Sequence, residues 1–261
     1  MRVWHKIGVT LEMIKWEPRI HLLFWIVVCM VLARSAGMAF NRWADAELDG
    51  RNPRTMMRAI PGDQLTRGFV GGFTVVTSLL FLISAARLNR LTLLLVPAEL
   101  GLILLYSYTK RFTRWSHLVL GLVLGSAPAA AWIAIRGTLD PRILVLTLVV
   151  LCWVGGFDTL YACQDAEHDR QEGLKSLPAA IGIDNAFWLA RALHVAMFVI
   201  ALWLIHLFAL GPLAWVGVVI VAALLLYEHS IVSPGDLTRM NAAFFTMNGV
   251  ISIVFLQRTF L

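Results

Sequence analysis

The sequence predicts an all-α fold, a multi-pass transmembrane helical bundle of about eight spanning helices. The first observation behind this prediction is the composition, because 59% of the 261 residues are hydrophobic and only 15% are charged. A soluble domain of that composition would expose large apolar patches. The second observation is that apolar residues form continuous runs of about 20, the length that crosses a bilayer as a helix. Strands of a membrane β-barrel are about ten residues long with alternating polarity, so a barrel is excluded.

Polar or turn-forming residues separate eight successive spans. Asn89 interrupts the apolar run between the second and third spans, Pro141 separates the fourth from the fifth, and Pro212 separates the sixth from the seventh. The predicted limits are 20–39, 68–86, 91–108, 115–135, 142–162, 185–208, 211–228 and 241–258. The first nineteen residues lack an apolar core long enough for a signal peptide. We therefore expect residues 1–19 to form an interfacial segment and residues 20–261 a single transmembrane domain.

Most of the basic residues between spans lie on one side of the membrane, in the loops 41–67, 109–114, 163–184 and 229–239. The positive-inside rule makes this side cytoplasmic. We also expect the chain to lie in the cell inner membrane. The rule also accounts for the net charge of +6 without a nucleic-acid partner. Two of these loops are long, and long polar loops on one face are where a functional site is expected.

A stripe of polar residues follows the first span. Asn41, Asp45 and Asp49 are spaced four residues apart, so they share one face if the helix continues past the membrane. Arg34 lies two turns deeper on about the same face, and an arginine inside a span usually faces the bundle interior. The alternative interpretation of one such D-x-x-x-D pair is a solvated surface pair with a nearby base.

A second stripe follows the fifth span, where Asp158, Tyr161, Asp165 and Asp169 again have helical spacing. Two spans therefore end in carboxylates at the same membrane surface, which disfavours two isolated surface pairs. Carboxylates four residues apart repel one another, and a divalent cation removes that repulsion. A few hard oxygen ligands from each helix, with the remaining positions left to water or phosphate, are typical of Mg²⁺. Cysteine and histidine ligands at zinc-site spacing are absent.

Basic residues accompany both stripes, and they include Arg51, Arg54, Arg58, Lys110, Arg111 and Lys175. Carboxylates, a metal ion and Lys or Arg together suit a diphosphate, because the metal bridges phosphate and carboxylate oxygens while the cations neutralise the remaining charge. The sequence contains no Walker A motif, which argues against a nucleotide substrate.

At these residues the sequence resembles the UbiA superfamily of intramembrane aromatic prenyltransferases. The family motif N-D-x-x-D-x-x-x-D is matched at Asn41, Asp45 and Asp49, although Arg42 replaces the usual second acid. The motif Y-x-x-x-K is matched by Tyr106 and Lys110. The second acidic stripe is similar to the family's D-x-x-Y-x-x-x-D-x-x-x-D motif. The flanking segments look most like the 4-hydroxybenzoate polyprenyltransferase branch, including relatives of the futalosine-type menaquinone pathway.

The resemblance implies a Mg²⁺-dependent transfer of a polyprenyl group from an allylic diphosphate to an aromatic acid in ubiquinone or menaquinone biosynthesis. The implied metal-binding residues are Asn41, Asp45, Asp49, Asp165 and Asp169. The residues implied to hold the diphosphate are Arg54, Arg58, Lys110 and Lys175, and those implied to act in catalysis are Lys110, Arg58 and Asp158. The candidates for the acceptor site are Arg34, Arg111 and Tyr161.

The family has nine helices, so the resemblance implies that the first family helix is missing before residue 20. In the family, the basic N-terminus and the motif loops are both cytoplasmic, whereas eight spans put them on opposite sides. Residues 1–19 are therefore expected to lie along the interface. This departure keeps a truncated or inactive paralogue that binds prenyl diphosphate as an alternative. A cation transporter with an acid-lined path is another, although its acids would be expected in mid-span.

Overall fold

The computed structural model describes residues 16–240 and Gly249. Within these residues the chain is helical, with no β-strand beyond an isolated bridge between Ser233 and Asp236. The predicted all-α class is therefore confirmed for the described part of the chain. Apart from Gly249, the predicted eighth span, 241–258, lies outside the described residues, as does most of the predicted interfacial segment.

Seven helices in the described part are long and apolar enough to cross a membrane. They are α1 (Trp16–Ala44), α3 (Arg67–Ala85), α4 (Arg90–Phe112), α5 (Ser116–Arg136), α6 (Ile143–Ala162), α9 (Ile183–Leu207) and α10 (Pro212–Ile231). Three short helices are α2 (Ala46–Arg51), α7 (Ala166–Gln171) and α8 (Leu177–Ile181). Each of the first seven predicted spans therefore corresponds to one helix, which confirms a multi-pass bundle.

Local sequence signals explain several helix limits. Asn89 Oδ1 accepts a hydrogen bond of 2.9 Å from the Thr92 backbone N–H, so it satisfies a free donor at the start of α4. Thr66 Oγ1 does the same for Phe69 at the start of α3. Before α6, Asp140 accepts hydrogen bonds from the Arg142 side chain and backbone, and these bonds hold the pKa of the Asp140 carboxyl below its ordinary value.

The chain divides into two compact units. The first unit comprises Met1–Ser107 and Ala130–Leu139. Its core lies between α1 and α3, which pack together along their length. Cys29 of α1 and Phe81 of α3 belong to its cluster of buried apolar residues. Asn89 also ties the start of α4 to residues 130–139, because its Nδ2 donates to the Ile133 carbonyl at 2.7 Å.

The second unit comprises Tyr108–Ala129 and Asp140–Leu261, and α6 is its central helix. Most of the α6 residues are buried, and α6 packs against α9 along much of its length. Gly156 makes this close approach possible, since a side chain there would meet the His194 ring. The His194 ring is held in place by a hydrogen bond of 2.9 Å between its Nδ1 and His229 Nε2 of α10. The candidate site residues at the C-terminal end of α6 are therefore positioned by a closely packed helix.

Candidate active site

The first acidic stripe begins at the end of α1. The helix is interrupted at Asp45, where φ is −97° and ψ is 8°, and it resumes as α2. Backbone hydrogen bonds nevertheless continue through the interruption, from Asp45 to Asn41 at 3.0 Å and from Asp49 to Asp45 at 2.8 Å. Asn41 Nδ2 also donates to Asp45 Oδ2 at 3.1 Å. The structure thus brings together the three residues that the spacing had predicted to share one face.

Asp49 of the first stripe is buried, with 7% of the residue exposed, and so is Asp45, with 5% exposed. Arg58 Nη1 donates to Asp49 Oδ1 at 2.5 Å, and Arg42 Nη1 lies 3.9 Å from Asp49 Oδ2. Thr55 Oγ1 donates to the Asp49 backbone carbonyl at 3.0 Å, which fixes the loop after α2. Oδ2 itself is buried and accepts no hydrogen bond from any described residue. This oxygen therefore has a guanidinium 3.9 Å away but no hydrogen bond, so one coordination position of the carboxylate stays open to a ligand.

Arg42 has a role that the sequence analysis did not predict. It stands where the family motif usually has an acid, and its guanidinium lies near Asp49 and also near the charges of Arg54 and Arg58. The first stripe therefore has one carboxylate fewer and one cation more than the usual family motif. The sequence contained the signal, since Arg42 departs from the motif, but it did not show which acid Arg42 would approach.

Two predicted ligand-binding arginines of the first unit are exposed. Arg54 is held through its backbone N–H, which donates to Asn52 Oδ1 at 2.9 Å, while its residue surface stays open to solvent. Arg34 is exposed within α1 and has no hydrogen bond or ion pair with any residue that the structure describes. The structure therefore does not join Arg34 to the first acidic stripe.

The second acidic stripe repeats the local conformation of the first. Helix α6 ends at Ala162, one turn of 3₁₀ helix covers Cys163–Asp165, and α7 follows. Asp165 has φ −104° and ψ 2°, close to the values at Asp45. Asp169 is buried, with 4% of the residue exposed, in the same position of α7 that Asp49 occupies in α2.

This similarity of the two stripes was missed by the sequence analysis, although the sequence contained its signal. The pentapeptide D-A-E-x-D occurs at residues 45–49 and again at residues 165–169. In both copies the glutamate points outward, since the side chain of Glu47 is 75% exposed and that of Glu167 is 70% exposed. Each glutamate pairs with an arginine, Glu47 with Arg67 at 3.2 Å and Glu167 with Arg170 at 2.6 Å. The glutamates are thus surface residues, whereas Asp45, Asp49 and Asp169 are buried and Asp165 is half-buried.

Two predicted diphosphate-binding lysines meet in the second unit through the backbone. The Lys175 N–H donates to the Lys110 carbonyl at 2.7 Å, and Lys175 Nζ donates to the Phe112 carbonyl at 3.4 Å. The Leu174 N–H donates to the Asp169 carbonyl at 2.7 Å, so the same loop is also tied to the second stripe. The end of α4 and the end of α7 are therefore held together beside the second stripe.

A cavity of about 460 Å³ opens beside this loop. Three cations line it, namely Arg114, Arg170 and Lys175, together with Trp115. None of the acids of the second stripe lines it. Arg111 is exposed and places its guanidinium 4.7 Å from the centre of the Tyr108 ring. Arg111 is thus held by an aromatic face, with its surface open to a ligand.

Asp158 has a partner that the sequence analysis also missed. His117 Nδ1 lies 2.7 Å from Asp158 Oδ2, and the two side chains are only 6% and 18% exposed. No sequence signal joined these residues, which are 41 positions apart and belong to different helices. Tyr161, one turn after Asp158, is half-buried and packs against the second unit's apolar core.

The donor sets of the stripes suit a hard divalent cation. The side-chain atoms available in both are amide or carboxylate oxygens, which Mg²⁺ and Ca²⁺ prefer. The buried, unbonded Asp49 Oδ2 is the atom that most clearly fits a cation ligand. Among the described residues, no three Asp, Glu, His or Cys side chains are already gathered closely enough to hold a metal.

Comparison with known proteins gives a consistent result. Residues 12–250 match the family model described as UbiA prenyltransferase family. The chain is 32% identical over 216 residues to a 4-hydroxybenzoate octaprenyltransferase of Hydrogenovibrio crunogenus, covering 83% of this chain and 75% of the relative. It is 28% identical to a 4-hydroxybenzoate octaprenyltransferase of Cronobacter sakazakii, covering 92% of this chain and 82% of that one.

The fold is also similar to a solved structure, the apo form of a UbiA homologue from Aeropyrum pernix K1. The TM-score is 0.83 at 29% sequence identity, with 92% of this chain and 89% of that chain covered.

Proposed function

This chain belongs to the UbiA prenyltransferase family, and from that premise we propose that it transfers a polyprenyl group from an allylic diphosphate to 4-hydroxybenzoate or a closely similar aromatic acid. The names of its relatives support a place in ubiquinone biosynthesis. The likeness to the menaquinone branch stays a prediction from the flanking sequence. Membership of the family disfavours the alternative of an acid-lined cation path.

The observation that carries this proposal is the state of Asp49. The carboxylate is buried, and Arg58 holds one of its oxygens. The other oxygen lies 3.9 Å from Arg42 Nη1 but has no hydrogen bond from a described residue. Burying a carboxylate oxygen without a hydrogen bond costs free energy, and a bound ligand that contacts the oxygen reduces this cost. A cation bound to a diphosphate is such a ligand, since it satisfies the carboxylate and the phosphate oxygens together.

We propose Mg²⁺ as that cation, with Asn41, Asp45, Asp49, Asp165 and Asp169 as the residues that supply its oxygen ligands. When bound, the ion would neutralise negative charge on the diphosphate. The chain's own contribution is to hold the carboxylates in place. The short helices α2 and α7 do this for Asp49 and Asp169, which both lie on buried faces.

The diphosphate is proposed to bind four basic residues, Arg54, Arg58, Lys110 and Lys175. Breaking the allylic C–O bond leaves negative charge on the diphosphate and positive charge on the allyl group. Cations that are already in place stabilise the leaving group as its charge develops. Arg58 is fixed by Asp49 and Lys175 by the Phe112 carbonyl, so both start from defined positions.

The aromatic acceptor is proposed to use Arg34 or Arg111 for its carboxylate and Asp158 or Tyr161 for its hydroxyl. Both arginines are exposed in the described structure and are therefore open to a ligand. The electron-rich ring carbon next to the hydroxyl would attack the allyl group. The apolar surroundings of the spans would accommodate the prenyl tail and keep out water, which would otherwise capture the allyl cation.

The seven apolar helices make the chain a multi-pass membrane protein by length and composition. We propose that it lies in the cell inner membrane with both acidic stripes on the cytoplasmic side, as the distribution of basic residues predicts. A cytoplasmic site would give direct access to a water-soluble aromatic acid, while the prenyl chain and the product stay in the bilayer.

The proposal is tested with membranes that contain the chain, 4-hydroxybenzoate and geranyl diphosphate, with and without Mg²⁺. We expect a prenylated acid only when Mg²⁺ is present, and none from an Asp45→Ala, Asp165→Ala double variant. Unchanged product formation by the double variant would contradict the assignment of the stripes to metal and diphosphate. Binding of geranyl diphosphate without turnover by the unmodified chain would instead identify an inactive relative.

A further inference from the structure

A buried histidine–carboxylate pair lies in the second unit, outside both acidic stripes. His117 is the second residue of α5, and Asp158 lies near the end of α6. Their contact of 2.7 Å joins His117 Nδ1 to Asp158 Oδ2. The His117 side chain is 6% exposed, whereas the Asp158 side chain keeps 18% of its surface exposed.

Close packing of the antiparallel helices α5 and α6 determines that these two residues meet. Gly121 and Gly125 follow His117 at intervals of four residues, so all three lie on one face of α5. A Cβ atom on Gly121 would lie 2.6 Å from the Leu151 carbonyl oxygen, and one on Gly125 would lie 2.7 Å from that of Thr147. These two glycines therefore bring the α5 backbone against α6, as small residues do in membrane helix pairs.

The contact joins His117 Nδ1 to Asp158 Oδ2, and an ionised carboxylate only accepts, so with Asp158 ionised the donor is the His117 Nδ1–H. The other ring nitrogen, Nε2, is buried with no hydrogen-bond partner among the described residues. No described residue hydrogen-bonds to Asp158 Oδ1, and the Asp158 side chain is the more exposed of the two.

A purely structural pair explains only part of this arrangement. A carboxylate held at one oxygen by a buried imidazole, with the other oxygen open, is arranged to receive a donor.

We infer, on the basis of the proposed function, that Asp158 receives the hydroxyl proton of the aromatic acceptor and that His117 is the positioning residue that holds Asp158 for this step. The ligand class is thereby specified as a phenol with a free hydroxyl next to the reacting ring carbon. An acceptor whose hydroxyl is methylated has no proton to donate to Asp158.

In the proposed step the acceptor O–H bond breaks, its proton passes to Asp158 Oδ1, and the electron pair stays on the acceptor oxygen, which raises the electron density of the neighbouring ring carbon. That carbon forms a bond to the allyl group as the allylic C–O bond gives its electron pair to diphosphate. The ring C–H proton then leaves with the diphosphate, aromaticity returns, and the acceptor oxygen takes its proton back from Asp158.

Three variants of the purified full chain test this inference. His117→Ala removes the donor, His117→Asn places an amide N–H near the position of Nδ1, and Asp158→Asn removes the acceptor of the proton. For each, kcat and KM for 4-hydroxybenzoate and the Kd for geranyl diphosphate are measured, and thermal unfolding shows whether the variant folds. We expect kcat/KM for the acceptor to fall by about 100-fold or more in His117→Ala and Asp158→Asn. The Kd should stay unchanged, and His117→Asn should recover much of the activity.

A series of fluorinated 4-hydroxybenzoates separates proton transfer from structural support. Their hydroxyl groups are more acidic and need less help from a base, so the ratio of wild-type to His117→Ala rates should shrink along the series. A constant ratio, or a parallel loss of geranyl diphosphate binding, would overturn the inference and leave the pair a structural contact. Efficient transfer to 4-methoxybenzoate would overturn it as well.

The outcome for the unmodified chain distinguishes the two proposals. If it makes no prenylated acid with any acceptor, the proposed function fails and the inference fails with it. If it is active and His117→Ala, Asp158→Asn and wild type have the same kcat/KM, the inference alone is wrong.

Discussion

Asp49 illustrates how a single residue combines structure and function in this molecule. Its Oδ1 is held by Arg58, its backbone carbonyl by Thr55, and its Oδ2 is buried without a hydrogen bond from a described residue. Removing the charge from this carboxylate would leave the Arg58 guanidinium with a neutral partner and would weaken any cation held at Oδ2. The residue should therefore matter far more to activity than an exposed acid two positions away.

We expect Asp49→Asn to lower the rate of prenyl transfer by about 100-fold or more, since it removes charge from the proposed cation and leaving-group site. Glu47→Gln is the matched control, because Glu47 lies on the same short helix, is exposed, and pairs with Arg67 only at the surface. Activity of the two variants is compared at equal amounts of folded protein. Similar rates for both would contradict the distinction between buried and exposed acids.

The second stripe offers the same comparison at equivalent positions. Asp169→Asn should reduce activity as Asp49→Asn does, whereas Glu167→Gln should leave it within about twofold, since an exposed salt bridge contributes roughly 0–1 kcal/mol. Dependence of the rate on Mg²⁺ concentration is the second readout. A higher Mg²⁺ requirement for Asp169→Asn is the expected result, and an unaltered requirement together with full activity would remove Asp169 from the proposed metal ligands.

The spacing of the acidic residues in the sequence predicted that each set would share one helix face, because helical periodicity puts residues four apart on the same side. It did not predict which residues would contact them. Arg42 reaches Asp49 from the last turn of α1, Arg58 reaches it from the turn-rich loop after α2, and His117 reaches Asp158 through the register of two helices. Such contacts depend on tertiary packing, and they cannot be predicted from the spacing of residues along one helix.

The two acidic stripes have the same local structure. In each, a long helix is interrupted at an aspartate and is followed by a short helix of six residues. Asp45 and Asp165 both have φ near −100° and ψ near 0°. The sequence analysis predicted a continuing helix in each case, and the structure shows the continuation with an interruption. No proline or glycine marks the break, so propensity alone could not have placed it.

The close packing of α5 on α6 is the element on which the position of Asp158 depends. Gly121→Ala would place a methyl group 2.6 Å from the Leu151 carbonyl oxygen. We expect the helices to move apart and the free energy of unfolding to fall by about 1–3 kcal/mol, the usual cost of overpacking. The measurement is thermal unfolding of the purified protein in detergent.

Gly101→Ala in α4 serves as the control for that substitution, since a Cβ there meets nothing within 4 Å. Alanine favours a helix over glycine by about 1 kcal/mol, so this variant should unfold at the same or a slightly higher temperature. Equal loss of stability in both variants would show that the contact with Leu151 is not what requires a glycine at position 121.

The whole molecule is a membrane bundle whose membership of the prenyltransferase family agrees with its residue pattern. Fold class and the first seven spans were predictable because apolar run length is a strong signal in membrane proteins. The division of roles among the basic residues stays a prediction, because it depends on bound substrates.

Metal removal tests the molecule as a whole. We expect EDTA to abolish prenyl transfer and excess Mg²⁺ to restore it, because the proposed ligands are hard oxygens. Restoration by Zn²⁺ alone would contradict the proposed ligand set, since zinc sites use mainly cysteine and histidine. Full activity in EDTA would show that fixed Lys and Arg side chains stabilise the leaving group without a cation.

The central claim is that this chain joins an allylic group to an aromatic acid. Its most direct test is mass spectrometry of the products formed by the purified chain from isotope-labelled 4-hydroxybenzoate, geranyl diphosphate and Mg²⁺. The account predicts a labelled product with the mass of the acid plus one geranyl group, carried on the ring carbon next to the hydroxyl. Geraniol alone, or unchanged labelled acid while geranyl diphosphate binds, would contradict it.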